Sequence, residues 1–440
     1  MSSLASAVRP ETAGATSTAK PGSADYPLSG ESIVCFAGED WWYHHPHSKN
    51  HILKRLARHN RVLFVNSLTM GLPSVGSADF FAKIWRKLRS YLRWLRKVPE
   101  GLWVMTPINL PLYGSAAARA LNRFLLILQL RLVMLVLGLR DPIIWVAIPT
   151  AADIVGSLGG KLLVYQVSDK YDCNEDSALS HAVIRDMDAR LKQMAAVVMY
   201  SGRKLFEEAE VPNRYFLEQA VDFERFADLP PETPPDIAEI PRPVLGYVGA
   251  ADFYTMDVPL IERVAKLRPD WHWVFIGGKS NLFQPSGPNI HLLGQKPYAD
   301  LPRYYRHIDV CVLPWNQKNA FTSYGSAIKV REYLATGKPV VIAPLYEYLH
   351  TPGVRIYRTA EEFVDLVEKA LTRDTPAERR VRQDAVHGCT WDVRAREVAG
   401  LFRRLLDSQD AEASLGSQKS KTGFNEEDCY VRHCRSAFIP

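Results

Sequence analysis

Short apolar runs alternate with polar, helix-like stretches along most of the chain. In the first half these runs are rich in Val, Ile and Leu, and they occupy residues 32–38, 61–67, 142–149, 162–169 and 195–201. Continuous apolar runs separated by helices are typical of parallel strands that are covered on both faces. The first half therefore predicts a parallel α/β sheet.

A second series of the same kind begins after a proline-rich stretch at residues 228–243. Its apolar runs occupy residues 243–249, 272–278, 290–294, 310–315 and 339–344. Together the two series predict two tandem doubly wound, Rossmann-like parallel-sheet domains of the α/β class. Since such sheets bind ligands at the carboxyl ends of their strands, we expect the functional site in the cleft between the domains.

These patterns divide the chain into six segments. We place a disordered segment at 1–30, a first domain at 31–227, a linker at 228–243, a second domain at 244–386, a closing helix at 387–408 and a disordered tail at 409–440. The first segment is predicted to be disordered because it is rich in small and polar residues and has no apolar stretch.

Composition narrows the class of protein. A chain of 440 residues is too long for one ordinary core, which agrees with two domains. The formal charge of +6 is modest for this length, so we expect no nucleic-acid partner. The six cysteines include no C-x-x-C pair, which favours reduced thiols of a cytoplasmic protein over a disulfide framework. Residues 1–30 also lack the pattern of a signal peptide.

The stretch TSYGSAIKVREYLATGKPVV, residues 322–341, carries the most specific chemistry. It predicts a helix capped by Ser326, with Lys329 and Glu332 on one face. A helix amino terminus beside a lysine favours an anion, and a carboxylate one turn deeper can accept bonds from a pair of hydroxyls. A diphosphate joined to a ribose meets both demands. The alternative is an ordinary exposed ion pair on an amphipathic helix.

The sequence around this motif resembles a known family. Residues 246–278, 289–315 and 387–402, together with the KVREYLATGKPVV motif, resemble the carboxyl-terminal domain of GT-B fold glycosyltransferases. The sequence resembles bacterial sugar transferases of surface-polysaccharide and teichuronic-acid assembly, and it is also similar to the xanthan glucuronosyltransferase. The resemblance is continuous from about residue 243 to 405 and weaker at 142–172 and 218–226.

The resemblance implies roles for residues of the second domain. Glu332 would hold the donor ribose, Lys329 would contact the diphosphate, and Gly249 would let the backbone approach the donor. Tyr298 would lie near the nucleotide base, although core packing is an open alternative. Two further positions of the motif, Tyr324 and Ser326, complete the predicted donor-binding set. Tyr324 stands where the retaining enzymes of this fold usually have a second glutamate, so the resemblance does not decide between retention and inversion.

Asp169 is our candidate for the catalytic base. It follows directly on the buried strand predicted in the stretch LLVYQVSD, residues 162–169, at the carboxyl end of that strand. The similar xanthan glucuronosyltransferase has an aspartate in this region as its base. A helix cap is the equally weighted alternative, and Asp172 is the second choice. No Asp-x-Asp metal motif occurs at the expected place, so we expect a metal-independent enzyme without a cofactor.

The stretch GEDWWYHHPHSKNH, residues 38–51, follows the first strand and predicts an acceptor-binding rim. Glu39, Asp40 and His45 can bond sugar hydroxyls, and Trp41 can stack on a sugar ring. Two alternatives stay open, a structural loop and a zinc site. The histidines are spaced too closely to converge easily on one zinc ion.

Residues 80–97, FFAKIWRKLRSYLRWLRK, combine basic and apolar positions at helical spacing. This composition predicts a helix that lies in an anionic membrane interface. The predicted membrane contacts are Trp85, Arg86, Lys87, Arg89, Arg93 and Trp94. A basic face over a core stripe is the alternative. Residues 124–139 are almost wholly apolar, but they hold Gln129 and Arg131, which favours a buried or interfacial helix over a membrane crossing.

The predicted function is therefore transfer of a sugar from a nucleotide-diphosphate sugar to a lipid-linked saccharide. The donor is expected to be a uridine diphosphate sugar, and the protein is expected to lie peripherally on the inner face of the plasma membrane in polysaccharide assembly. A nucleotide-sugar epimerase of the same fold is one alternative, but it would have no use for the basic amphipathic helix. A non-catalytic sugar-nucleotide binder is the other, and it would not depend on Asp169.

Overall fold

The structure is a computed structural model that describes residues 26–67, 85, 89, 91–109, 116–173, 181–278 and 282–421. Two sheets organise these residues, one of eight strands and one of six. Every strand pairing is parallel except one at the edge of the larger sheet, where β3 runs against β4. The predicted α/β class with two tandem parallel sheets is confirmed.

The first domain contains the larger sheet, in the order β3-β4-β2-β1-β5-β6-β7-β8. Its strands are β1 Ser32–Phe36, β2 Arg61–Val65, β3 Leu95–Lys97, β4 Trp103–Met105, β5 Ile143–Val146, β6 Leu162–Val167, β7 Val197–Tyr200 and β8 Arg214–Phe216. Its helices are α1 Ser48–Leu56, α2 Ala116–Leu137, α3 Ala152–Val155, α4 His181–Met194 and α5 Arg203–Glu207. The central strands are buried because apolar side chains cover both of their faces.

The second domain contains the smaller sheet, in the order β11-β10-β9-β12-β13-β14. Its strands are β9 Val244–Val248, β10 His272–Ile276, β11 Ile290–Gly294, β12 Val310–Leu313, β13 Val340–Ile342 and β14 Val354–Ile356. The helices from the connection onwards are α6 Phe223–Ala227, α7 Pro235–Ala238, α8 Val258–Leu267, α9 Leu301–Tyr305, α10 Ala320–Ser323, α11 Ile328–Thr336, α12 Ala360–Arg373 and α13 Pro376–His387. Single 3₁₀ turns lie at Pro149–Ala151, Tyr171–Cys173, Tyr298–Asp300 and Tyr346–Tyr348.

The last helix, α14 Trp391–Lys421, returns to the first domain. Trp391 stacks on His51 of α1, and Phe402 lies edge-on to Trp145 of β5. The helix continues beyond the predicted end at 408, so disorder from 409 is wrong as far as Lys421. Residues 409–415 contain helix-favouring Ala, Glu and Leu and no proline, which allows the helix to continue.

Two other boundaries also differ from the predictions. Disorder to residue 30 is wrong for Leu28, which is fully buried, and for Tyr26, which stacks on His59 with ring centroids 4.1 Å apart. The helix predicted over 80–97 ends earlier, because residues 95–97 form β3 and pair with β4. Trp85 and Arg89 are helical and exposed, whereas Arg86 and Lys87 lie outside the described residues.

The strand order marks a binding edge in each domain. In each sheet the chain order of the strands reverses once, between β1 and β5 in the first domain and between β9 and β12 in the second. Ligands of open α/β sheets bind at the carboxyl ends of strands at such reversal points. The loops that follow β1, β6 and β9 and the start of α11 therefore form the candidate site.

Candidate active site

The amino terminus of α11 is open at its first turn. Ala327, not Ser326, is the N-cap residue, and no side chain accepts a hydrogen bond from the helix there. The predicted Ser326 cap is therefore wrong: the helix starts one residue later, where the Ala327 carbonyl accepts the Tyr348 hydroxyl across 2.7 Å. The first-turn N–H groups, which carry partial positive charge, thus have no side-chain cap.

Lys329 lies against the loop that follows β9. Its Nζ donates to the Tyr247 hydroxyl across 2.9 Å and lies 5.0 Å from the centre of the Trp315 ring. Gly249 has a φ of +146°, and a Cβ there would lie 2.4 Å from Lys329 Nζ. Only glycine allows this approach without strain, so a cation, the glycine backbone and the helix amino terminus meet at one place.

Glu332 is buried one turn deeper, 6% exposed. Its Oε1 accepts the Tyr298 hydroxyl across 3.1 Å. Burial raises the pKa of Glu332 to about 7, although the Tyr298 bond and the Lys329 charge lower it. Tyr298 is thus a direct partner of the predicted ribose ligand, in addition to packing against Phe226.

His45 of the first domain contacts the second domain beside Tyr298. Its Nε2 lies 2.8 Å from the Lys296 carbonyl, and its ring lies edge-on to Tyr298 at 6.4 Å. A bond to a carbonyl requires the proton on Nε2, which leaves Nδ1 as the basic nitrogen. Burial lowers the pKa of His45, and the positive charge of Lys329 lowers it further, so the ring is neutral near pH 7.

Glu39, predicted as an acceptor contact, is buried in an ion pair. Its Oε2 lies 2.6 Å from Lys49 Nζ at the start of α1, and both side chains are nearly inaccessible. Burial raises the pKa of Glu39, although the Lys49 charge lowers it. The second carboxylate oxygen, Oε1, has no hydrogen-bond partner within the described part of the chain. Such an orphaned buried acceptor is uncommon in folded proteins.

Asp169 lies at the carboxyl end of β6 and is electrostatically linked to this pair. Burial raises the pKa of Asp169, and the Lys49 charge lowers it. Its backbone carbonyl accepts from Tyr171 N across 3.0 Å, which holds the turn that follows. Desolvation raises the pKa of the partly exposed Tyr171, and the charge of Asp169 raises it further. Glu39, Lys49, Asp169 and Tyr171 therefore form one cluster on the first domain's side of the site.

Two predicted acceptor residues are engaged by other parts of the first domain. Asp40 Oδ1 accepts from Trp42 N across 2.9 Å. Trp41 packs edge-on against Phe64, and Lys54 lies over its ring at 5.0 Å. These contacts favour a structural role for both residues, which was the alternative for this stretch.

Tyr324 joins the two domains. Its hydroxyl donates to Glu208 across 2.6 Å, which raises the pKa of Tyr324 to about 12. Lys204 and Lys170 lie over its ring at 4.0 and 4.4 Å. The hydroxyl that the sequence predicts as a donor contact is therefore bonded to the first domain.

A buried network of ion pairs anchors α11 through Arg331, and the sequence did not predict it. Arg331, 6% exposed, contacts Glu218 across 2.9 Å and Glu347 across 3.5 Å. Glu218 also pairs with Arg394 of α14 across 2.7 Å. The sequence of the motif gave no signal for this network, since its two Glu218 pairs join residues that are 113 and 176 positions apart. Tyr247 and Trp315, which hold Lys329, were also missed, because both lie outside the motif that contains Lys329.

No group of three or more His, Cys, Asp or Glu side chains in the described ranges is arranged to hold a metal ion. The histidines of residues 38–51 are used separately. His44 contacts the Asp40 backbone across 3.1 Å, and His51 contacts Asp222 across 3.4 Å.

Most of the second domain matches a known family model. Residues 242–373 match the family model described as glycosyl transferases group 1. This range includes α11 and the loop after β9, so the residues around Lys329 and Glu332 lie inside it. The sequence matches no curated protein significantly.

Three solved structures share the two-domain arrangement. The Anabaena HepE protein, solved in complex with UDP and glucose, has 14% identity and a TM-score of 0.52, covering 86% of this chain and 98% of that one. Trehalose 6-phosphate synthase of Burkholderia multivorans has 14% identity and a TM-score of 0.55, covering 89% and 98%. The N-terminal domain of Candida albicans trehalose-6-phosphate phosphatase has 9% identity and a TM-score of 0.56, covering 86% and 97%. At these identities the likeness concerns the fold.

Proposed function

We propose that this protein transfers a sugar from a uridine diphosphate sugar to a lipid-linked saccharide. It has the GT-B fold, and its residues 242–373 match the group 1 glycosyltransferases. The observation that carries the proposal is the grouping of Lys329, Glu332 and Gly249 at the start of α11. A cation, an uncapped helix terminus and a buried carboxylate suit the diphosphate and ribose of one donor molecule.

The positive groups of this site, Lys329 and the first-turn N–H groups of α11, suit the negatively charged leaving group of the donor. Negative charge grows on the diphosphate as the bond from the sugar carbon to the phosphate oxygen breaks. Lys329 and the first-turn N–H groups of α11 stabilise that charge electrostatically, in a site where their positions are already fixed. Uridine is the proposed nucleoside of the donor because HepE, which shares the fold, was solved with UDP and glucose.

Asp169 is the proposed catalytic base for transfer with inversion. It takes the proton of the acceptor hydroxyl while that oxygen bonds to the sugar carbon and the diphosphate leaves with the bonding electrons. The raised pKa of Asp169 makes it a stronger base than an ordinary aspartate. His45, neutral and with a basic Nδ1, is a further candidate beside Asp172 if Asp169 proves dispensable.

The acceptor and location are proposed from the first domain. A lipid-linked saccharide requires the cleft to approach a membrane, and residues 80–97 supply cations beside aromatic side chains. Arg89, Arg93 and Trp85 are exposed. The protein would therefore work peripherally at the cytoplasmic leaflet, in polysaccharide or exopolysaccharide assembly, and without a metal.

Donor screening tests the proposal most directly. The folded protein is melted with a panel of UDP-, GDP-, ADP- and dTDP-sugars, and hits are incubated with membrane extract as the source of acceptor. We expect a UDP-sugar to raise the melting temperature and to release UDP only when extract is present. Isomerisation of the sugar nucleotide without extract would indicate an epimerase. No shift with any nucleotide sugar would contradict the donor site itself.

A further inference from the structure

Helix α2 is apolar on two opposite faces. One face packs into the first domain's core through Leu126, Leu130 and Val133, each at most 2% exposed. The other face points outward and carries six large apolar side chains at helical spacing. They are Leu121, Phe124, Leu128, Leu132, Leu135 and Val136, each roughly half to four-fifths exposed. A surface helix of a water-soluble domain normally places polar residues on that side.

The exposed face is too large and continuous to be a chance scatter of apolar side chains. Phe124, Leu135 and Val136 are 63%, 78% and 70% exposed. Ile108, 51% exposed, extends the surface, since its backbone lies beside the helix. Contiguous apolar patches of this kind mark interaction sites.

The polar group at the edge of this face is satisfied internally. Gln129 accepts from Ile108 N across 3.0 Å and donates to the Ile108 carbonyl across 2.7 Å. Both halves of the side-chain amide are therefore paired without water. Apolar surroundings such as lipid require this, because an unpaired amide there is costly.

The charge around the face favours an anionic partner. Residues 116–140 contain no Asp or Glu, and their charged side chains are Arg119, Arg123, Arg131 and Arg140. A pocket of about 450 Å³ opens beside the helix, and three arginines line it against one carboxylate: Arg119, Arg123, Arg190 and Asp153. Such a rim suits the phosphates of lipid headgroups.

Length and composition would also allow a membrane crossing. Residues Arg119–Leu137 are long and apolar enough to span, and among the described residues this is the one helix that meets that test. The buried face argues against it, because a crossing would remove Leu126, Leu130 and Val133 from the core cluster that they share with residues of β1, β2 and β5. A helix that keeps one face in a folded domain can only lie along the bilayer surface.

We propose that the outward face of α2 docks the first domain on an anionic lipid bilayer. Its apolar side chains lie at the boundary between headgroups and acyl chains, and the arginines of the neighbouring pocket contact lipid phosphates. The inference extends the membrane part of the proposed function and adds an apolar contact to the basic segment at 80–97. Its test needs neither donor nor acceptor, so it can fail while the transfer reaction stands.

Sedimentation with vesicles is the experiment. The full chain is mixed with phosphatidylcholine vesicles that contain either no phosphatidylglycerol or a large fraction of it. The test variant is Leu128→Gln/Leu132→Gln/Leu135→Gln. The matched control, Leu267→Gln/Leu282→Gln/Val381→Gln, changes three exposed apolar residues of the second domain. Thermal melting establishes that both variants fold.

We expect the wild type and the control to bind anionic vesicles and to keep part of that binding at high salt, because salt screens charge but not apolar insertion. The test variant should bind at least about tenfold more weakly. Arg119→Gln/Arg123→Gln should reduce the preference for anionic over neutral vesicles.

Three results would overturn the proposal. The first is wild-type protein that stays in the supernatant with anionic vesicles at low salt. The second is a folded test variant that binds as tightly as the control. The third is lipid-free self-association of the wild type that the test variant loses, since the face would then belong to a second copy of the chain.

Discussion

Tyr298 of the second domain donates its hydroxyl to Glu332 across 3.1 Å, while its ring faces His45 and His51 of the first domain. The carboxylate proposed to hold the ribose is therefore positioned by a residue that also forms the contact between domains. A change in domain closure that moves this ring would be felt directly at Glu332.

The first prediction concerns pH. Because burial raises the pKa of Glu332 to about 7, the donor-free protein holds this carboxyl protonated below that pH. A carboxylate can accept hydrogen bonds from both ribose hydroxyls. A carboxylic acid accepts fewer, because its protonated oxygen acts as a hydrogen-bond donor. Affinity for an intact UDP-sugar, measured by calorimetry, should therefore rise between about pH 6 and pH 8. Glu332→Gln should bind more weakly and without this rise.

An intact UDP-sugar is the required probe, because the terminal phosphate of free UDP is expected to titrate near pH 6, as other phosphate monoesters do, and would obscure the effect. By the same linkage, ionisation of Glu332 should cost folding stability as pH rises from about 4.5 towards 7. A pH-independent donor affinity in the wild type would contradict the assignment of Glu332.

The second prediction concerns the donor's anchors. Lys329→Ala and Glu332→Ala should each weaken UDP-sugar binding by about 1–3 kcal/mol, because each removes a hydrogen bond to or from a charged group. Lys369→Ala, at an exposed lysine of α12 that pairs with Asp365, is the control and should bind normally. Unchanged donor affinity in both test variants would exclude this site.

The third prediction concerns the base. Asp169→Asn keeps the shape of the side chain but removes its basicity, so turnover should fall by about a hundredfold or more while donor affinity stays near the wild-type value. Asp172→Asn, three positions further along the same loop, tests the second candidate in the same assay. If the loss falls on Asp172 instead, the base has been misassigned by one turn. If neither variant loses turnover, His45 becomes the candidate.

The fourth prediction concerns Gly277, which follows β10. Its φ is +153°, and a Cβ there would lie 2.0 Å from the carbonyl oxygen of Gly249. Gly277→Ala should therefore lower the free energy of unfolding by at least about 2 kcal/mol, through strain and a clash with backbone that cannot move aside. At Gly278 the nearest atom is 3.9 Å from such a Cβ, so Gly278→Ala should be nearly neutral. Chemical denaturation of both variants would measure the difference.

The central strands were predictable because both of their faces are buried. Val, Ile and Leu runs such as those at β1 and β9 leave little choice but a covered parallel strand. The edge strands β3 and β8 were not predictable, because they are three residues long, partly exposed and rich in charge. Their pairing is decided by the neighbouring strand and not by their own pattern.

The site was predictable only where function and local pattern coincide. Lys329 and Glu332 lie on one short helix, so spacing alone placed them together. The Lys49 partner of Glu39, by contrast, has the sequence signature of an ordinary surface lysine. Its burial depends on how α1 packs onto the sheet, which no window of sequence contains. The Ser326 cap failed for a smaller reason, since the helix could begin one residue later without any side-chain cap.

The return of α14 to the first domain affects the order in which the chain can fold during synthesis. Trp391, Ala395, Val398 and Phe402 are fully buried among residues of β1, β2 and β5, although the whole second domain separates them in sequence. A ribosome that has released only the first domain has therefore exposed a sheet with part of one face uncovered. The second domain can close on its own, whereas the first is completed last, after the stretch through Leu406 has left the exit tunnel.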